Sequence, residues 1–289
     1  MLSAQQLLVA PAKRRPIRSL RQQYELYVMD RIEHYKNSIS RGELLRLGDE
    51  AMVDLRGDEG QFLLTEVLAA TVVDETIKRR LGIRGFDSWR KSFPKLRAAQ
   101  RDATRWGLDA THLAARLAPR IEVEDPVLVV GAGAEACAYL FAAHDGIVTF
   151  LDRDLGIVDR AEHRIAEESL SSSFEAICVQ FGGWLPCLPA HFVLVAIDAG
   201  TLAAISPGER RVLIAELQAV TAPGGLHALV PDASGTGPEG FAGHYASWGR
   251  ETLPMPGRRA RGAAAARGAL FVCPSAQQAA PPGQRAQAR

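Results

Sequence analysis

Apolar residues recur at three- and four-residue steps through the first third of the chain. Leu20, Tyr24, Tyr27, Val28, Ile32 and Tyr35 form one series, and Leu44, Leu47 and Met52 form a second within residues 43–55. A third, Leu64, Val67, Leu68, Val72 and Ile77, spans 61–81 and stops at Gly82 and Gly85, with a further helix expected over 87–105. Such spacing gathers the apolar side chains on one helical face. No strand-like alternation competes with it, so residues 19–120 are predicted to form an all-helical domain.

Beyond Pro126 the pattern changes. Val127–Val130 is a short apolar run closed by Gly131, as suits a strand buried on both faces. Comparable runs lie at 147–151, 176–180, 192–197 and 226–230, with helical segments at 135–143, 155–169 and 208–220 between them. Strands alternating with helices of this length predict βαβ units and a parallel sheet. Segments 245–253 and 267–273 read as a final pair of strands. Residues 1–18 are expected to be a basic, flexible start, and the Gln/Ala/Pro-rich stretch 274–289 a disordered tail.

With 289 residues, 47% of them hydrophobic, the chain is long enough to bury a substantial core. No apolar run reaches the roughly 18 residues that a membrane span needs. Cys137, Cys178, Cys187 and Cys273 show no CxxC spacing, and three sit in apolar runs. Reduced, buried thiols in a cytoplasmic setting are therefore expected, rather than a disulfide scaffold or a zinc site. The net charge of +1 hides an asymmetry: 22 Lys+Arg against 15 Asp+Glu over 1–120, and 12 against 18 over 121–289. A charge change at one place hints at a domain boundary. The first 24 residues hold five basic residues and no acid, as a transit segment would, but the short apolar part and the lack of a secretory cleavage pattern favour a frayed basic start.

The segment Lys78–Arg105 carries ten Lys/Arg and two acids, with Trp89, Phe93 and Trp106 interleaved. It reads either as a nucleic-acid or phosphate-binding surface, or as a helix face whose charges dock on the acidic second half. The charge balance favours docking.

The most informative chemistry lies in Val127-Leu128-Val129-Val130-Gly131-Ala132-Gly133-Ala134-Glu135-Ala136, a strand, a glycine turn and a helix start. Gly131 permits the tight turn, Gly133 permits close approach of backbone to a ligand, and the helix points its positive end at an anionic group. The next strand ends at Asp152, 21 residues after Gly131. A carboxylate there can accept both hydroxyls of an adenosine ribose, with Asp154 as the fallback. The plainer alternative makes Asp152 the cap of the helix before Leu155. A dinucleotide and S-adenosylmethionine both fit this much.

The fourth and fifth strands separate the two. Leu185-Pro186 precedes the fourth strand, Asp198 ends it, and a helix leads through Pro223-Gly224-Gly225 into the fifth strand. Together with the glycine turn, Asp152 and the closing strand pair, this resembles the class I S-adenosylmethionine-dependent methyltransferase family over residues 121–273. The resemblance implies a Rossmann-like, mostly parallel seven-stranded sheet with flanking helices and its last strand antiparallel, following the N-terminal helical domain. It implies S-adenosyl-L-methionine as cofactor, a small or medium-sized acceptor, and methyl transfer as the reaction. The residues it places at the donor are Gly131, Ala132, Gly133, Asp152 and Arg153, with Phe181, Gly182 and Trp184 around adenine. Asp198 lies near the acceptor or caps the following segment. The helical domain would pack on the α/β domain and lid it.

Several positions depart from the family pattern. Val129 stands where an acid often precedes the first glycine, and Glu135 where a small residue is common. Residues 180–184 after the third strand hold no acid, and Val193 stands where an acid often opens the fourth. Stacking on Phe181 or Trp184 could replace the missing adenine contact. Glu135 could take the donor's amino group or repel its carboxylate. Two alternatives stay open: an NAD(P)-binding oxidoreductase, which shares the turn and Asp152, and a degenerate, non-catalytic binding protein. His227 reads as a satisfied core histidine, and His244 and Tyr245 as residues that could reach the cleft.

Overall fold

The computed structural model describes residues 19–57, 66–183, 185–186, 188, 191–231, 238–251 and 268–274. The expected basic start, most of the expected tail, Trp184 and Cys187 lie outside the described residues.

Four helices come first: α1 (Leu20–Ser38), α2 (Arg41–Gly57), α3 (Glu66–Arg80) and α4 (Phe86–Gln100). Ser19 and Gln22 close a reciprocal capping box that starts α1. Ile32, Leu47 and Ile77 meet in a small apolar cluster. A second contact, built on rings, ties α1 to α4: Tyr24 lies 5.3 Å from Trp89, Trp89 stacks on Phe93 at 4.3 Å, and the Tyr24 hydroxyl donates to the Arg84 carbonyl. The fourth helix stops short of the expected 105. Asp102 accepts from the Thr104 amide and starts a separate 3-10 turn, Ala103–Trp106, ended by Gly107 at φ 78°.

After these come α5 (Leu113–Leu117), β1 (Pro126–Val130), α6 (Glu135–Ala143), β2 (Ile147–Asp152), α7 (Leu155–Glu167) and β3 (Phe174–Cys178). The chain continues through β4 (Phe192–Asp198), α8 (Ala199–Ala204), α9 (Pro207–Ala219), β5 (Thr221–Val230), β6 (Gly249–Glu251) and β7 (Ala269–Val272). The seven strands form one sheet in the order β3-β2-β1-β4-β5-β7-β6. Strands β1 to β5 pair in parallel, and β7 runs antiparallel to both β5 and β6. This is the Rossmann-like, mostly parallel seven-stranded sheet with flanking helices that the family resemblance implies.

Alternate residues of the central strands feed two cores. Val127, Val129, Phe150 and Ala196 face α6 and α7, while Leu128, Val130, Leu151 and Ile197 face α9. The first core reaches back into the stretch assigned to the helical domain, burying Ala103, Trp106, Ala114, Leu117 and Ala118. The third strand begins at Phe174, two residues before the expected start. In β5 the Pro223-Gly224-Gly225 junction forms a bulge: Thr221 pairs with Phe192 and Leu226 with Leu194. A side chain at Gly225 would fall 2.9 Å from the Phe192 carbonyl oxygen, so the bulge requires glycine there.

Three residues of the basic segment dock on the α/β part. Arg97 and Arg101 both pair with Asp145, the latter at 2.6 Å, and Arg105 meets Glu168 at 2.7 Å. Gln100 adds a bond to the Glu168 carbonyl at 2.8 Å. Burial raises the pKa of the Asp30 carboxyl on α1, and the nearby Ser171 amide and hydroxyl oppose that shift. Asp145 precedes β2, Glu168 follows α7 and Ser171 precedes β3, so these anchors lie toward the amino ends of the strands. The lid expectation is corrected: the helices are held on the outside of α6 and α7, away from the carboxyl end of the sheet. Arg84, Lys91 and Lys95 point to solvent and carry no ion pair among the described residues.

No helix among the described residues is long and apolar enough to cross a membrane, and no group of three His, Cys, Asp or Glu among them could hold a metal ion. Cys137, Cys178 and Cys273 are free. Cys178 corrects the expectation of burial, since it sits exposed at the end of β3.

Candidate functional site

In an open α/β sheet, ligands bind outside the carboxyl ends of the strands, where the order reverses. Here that point lies between β1 and β4, above Gly131 and Asp198. Gly131 takes φ 93° and ψ 149°, a conformation that essentially only glycine adopts. Its amide donates to the Leu151 carbonyl at 2.9 Å, which fastens the turn to the end of β2.

Asp152 stands beside that turn and is 2% exposed. Its carboxylate accepts from the Asp154 amide at 2.8 Å, and the Arg153 and Ala132 amides lie close enough to favour its charged form. Burial raises its pKa, the charge of Asp154 adds to that, and the amide bonds oppose it. The cap of α7 is Asp154, which accepts from the Gly156 amide at 2.8 Å. Asp152 is therefore not the helix cap; it joins the end of β2 to the glycine turn. Arg153 is exposed, and its carbonyl accepts from the Cys178 thiol at 3.6 Å.

Asp198 caps α8. Its two oxygens accept from the Gly200 amide at 3.1 Å, the Thr201 amide at 2.9 Å and the Thr201 hydroxyl at 2.8 Å. The same carboxylate lies over the glycine turn. A side-chain carbon at Gly133 would fall 2.5 Å from Asp198 Oδ1, and one at Gly131 would fall 2.8 Å from Thr201 Cβ and 2.9 Å from Asp198 Cβ. The space left by the two glycines is thus occupied by Asp198 and Thr201. Thr201 is not singled out by sequence reasoning, although its place three residues after a strand-ending Asp is a capping signal.

Glu135 is engaged elsewhere. Arg160 on α7 pairs with it at 2.9 Å, and the Tyr139 hydroxyl donates to it, with burial pushing the Tyr139 pKa up. Asp152, Asp198 and the Arg160-paired Glu135 all lie near the start of α6, where an anionic group is expected from the sequence.

On the adenine side, Phe181 is 6% exposed and packs in the core between the sheet and α9. Its ring is committed there rather than offered to a ligand. Gly182 takes φ 78°, and a side chain on it would fall 2.5 Å from Glu209 Cγ near the start of α9. Trp184 lies outside the described residues.

His227 is fully buried. Its Nε2 lies 2.8 Å from Thr221 Oγ1, which donates onward to the Leu217 carbonyl, so the ring proton sits on Nε2. Its Nδ1 accepts from the Tyr245 hydroxyl at 3.0 Å. Burial depresses the imidazole to about 3, so it stays neutral. Tyr245 is buried with it and faces the core rather than the cleft. A cavity of about 230 Å³ is lined by Arg120, Asp125, Leu194, Gly224 and Leu226; it opens at the amino ends of the strands, opposite the glycine turn.

The strand order with its reversed β7 is that of the Rossmann-like class I methyltransferase fold. No family model matches the chain, and no curated protein matches it. Among solved structures it is similar to the glycopeptide N-methyltransferase MtfA, with 26% identity and a TM-score of 0.36 over 42% of this chain and 57% of that one. It is also similar to the N-methyltransferase NodS from Bradyrhizobium japonicum WM9, with 18% identity and a TM-score of 0.44 over 56% and 93% of the two chains. A third is the [4+2]-cyclase SpnF, with 24% identity and a TM-score of 0.37 over 42% and 44%. The matched part spans about half the length of MtfA. Structures of MtfA hold S-adenosylmethionine, S-adenosylhomocysteine or sinefungin.

Proposed function

We propose that the protein is an S-adenosylmethionine-dependent methyltransferase acting on a small or medium-sized acceptor in the cytoplasm. One observation carries this reading: Asp152, at the tip of β2, stands beside the glycine turn of β1, which the Gly131 amide fastens to the Leu151 carbonyl, in a sheet whose seventh strand is reversed. A ribose placed there meets a preoriented carboxylate. The reversed β7 opposes the oxidoreductase alternative, because the dinucleotide fold continues in parallel past β5.

When bound, the donor supplies an activated methyl group on a sulfonium. The chain's part is to bind, orient and exclude water, which by itself accounts for much of the acceleration of such a displacement. In this proposal Asp152 accepts the ribose hydroxyls, the turn Gly131–Gly133 brings backbone close to the donor, and exposed Arg153 flanks adenine. Asp198 acts by charge and position, since both of its oxygens already accept hydrogen bonds. The α1–α4 helices serve as a separate domain anchored away from the acceptor side.

A second reading is supported by the packing of Asp198 and Thr201 over the glycines and by the near-complete burial of Asp152. These features suit a methyltransferase-like protein that binds no donor. Calorimetric titration with S-adenosylmethionine, S-adenosylhomocysteine and NAD separates the readings. The proposal expects micromolar binding of the first two and none of NAD. Binding of NAD alone, or of nothing, rejects it.

A further inference from the structure

Resting on the reading that the glycine turn receives a methyl donor, we infer that His112 meets the acceptor. Its Nε2–H donates to a neutral carbonyl oxygen on that molecule, beside the atom that takes the methyl group.

The path of the chain brings His112 to the carboxyl end of the sheet. Arg101 donates to the carbonyl of Ala143, the last residue of α6, and the Trp106 ring lies 5.3 Å from Tyr139 in the middle of that helix. The chain therefore climbs α6 toward its start. A side chain at Gly268 would fall 2.7 Å from Leu113 Cδ2 and 2.9 Å from the Leu229 carbonyl oxygen, and Leu229 pairs with Ile197, one residue before the end of β4. From Leu113 the helix α5 descends, so that Leu117 and Arg120 line the cavity at the amino ends of the strands. His112 thus stands over the end of β5, two strands from the glycine turn, or about 10 Å at ordinary strand spacing. In the proposed pose adenine lies over β3, ribose over β2, and the sulfonium over β1 and β4. The next place along this edge is β5, where the acceptor approaches.

The ring is held in one tautomer. Asp109 Oδ1 accepts from the Thr111 amide at 2.7 Å and its hydroxyl at 2.6 Å, and the His112 amide donates to the Asp109 carbonyl at 2.8 Å. These bonds fix the backbone that carries the imidazole. His112 Nδ1 accepts from the Ala114 amide at 3.1 Å. An amide only donates, so Nδ1 is bare and the neutral ring carries its proton on Nε2. Nε2 has no partner among the described residues, and the side chain is half-buried. Burial lowers the imidazole pKa, with the charge of Asp109 opposing. What the ring offers is a neutral N–H in a fixed place, not a base. The negative charge of Asp109 disfavours an anionic oxygen there, so the carbonyl of an amide or ketone fits better than a carboxylate.

His112→Asn keeps the cap of α5, because asparagine is among the best N-cap residues, and removes the imidazole. Thermal melting establishes that the variant is folded. Calorimetric titration with S-adenosylmethionine should give equal affinities for the two proteins, since His112 lies beyond the donor. Proton–nitrogen correlation spectra of wild-type imidazoles, with S-adenosylhomocysteine bound, should show the Nε2–H form of His112, identified by its contact with the Ala114 amide. N-methylacetamide, a neutral carbonyl probe, should shift that signal saturably, and acetate should not. An Nδ1–H ring, a signal that N-methylacetamide leaves in place, or an equal response to acetate overturns the inference and leaves the donor reading standing. A loss of donor affinity of about tenfold in the folded variant overturns it too, because it places His112 on the donor. Wild-type protein that does not bind S-adenosylmethionine removes the donor reading and this inference with it.

Discussion

Asp198 Oδ1 lies where it would be 2.5 Å from a methyl group placed on Gly133. Strand β4 and the turn after β1 are thereby locked together by a carboxylate packed on a bare Cα. The glycine is required by this chain's own packing before any ligand is considered.

Gly133→Ala should therefore destabilise the ligand-free protein by about 1–3 kcal/mol, the usual cost of overpacking. Gly131→Ala should cost at least as much, since φ 93° adds backbone strain to the clash with Thr201. Urea denaturation of the two variants measures this. Midpoints equal to that of the wild type would mean that Asp198 and Thr201 do not fill the turn.

Asp145 receives both Arg97 and Arg101 and sits at φ 68°, a conformation that asparagine also tolerates. Asp145→Asn removes the charge without straining the backbone. Because the Arg97 side chain is only 17% exposed, a loss of about 1–3 kcal/mol is expected. Limited proteolysis should also cut α1–α4 faster while the α/β core persists. Cleavage at the wild-type rate in both parts would show that this anchor does not hold the helices.

His227 gives a pH dependence whose sign is fixed. An ordinary imidazole titrates near 6.5, and burial holds this one at about 3. Between those values the unfolded chain binds a proton that the folded chain does not. Stability should be full above about pH 6.5 and fall as the pH is lowered toward 3, by up to about 1.4 kcal/mol per pH unit. In His227→Gln the slope should be smaller, even if the variant is less stable throughout. Identical slopes between pH 6.5 and 4.5 would show that His227 contributes nothing to acid sensitivity.

Much of this fold is legible along the chain. Strands β1, β2 and β4 are buried on both faces along most of their length, so they appear as apolar runs, interrupted only by Thr149 in β2 and ended by Gly131, Asp152 and Asp198. Strand β3 is less clear because Glu175 interrupts it at a half-covered edge of the sheet. The Pro223-Gly224-Gly225 junction marks the start of β5, but only the pairing with Phe192 reveals a bulge inside the strand. Where the basic segment docks depends on Asp145 and Glu168, which sit in turns that show no periodicity. The predicted strand order puts these turns at the amino end, but nothing in the sequence tells that the basic segment meets these acids rather than others, so a lid over the cleft and an anchor on the far side look alike along the chain. The site is legible as a set of residues and not as a geometry. The spacing from Gly131 to Asp152 is plain, whereas the filling of the turn by Asp198 and Thr201 depends on a contact between distant segments.

The central claim is that Asp152 holds the ribose of a bound methyl donor. Calorimetric titration of S-adenosylmethionine into wild type and into Asp152→Ala tests it most directly, with thermal melting to establish that the variant is folded. Loss of two hydrogen bonds to a carboxylate predicts an affinity at least about tenfold weaker in the variant. Equal affinity in the two proteins would contradict the account.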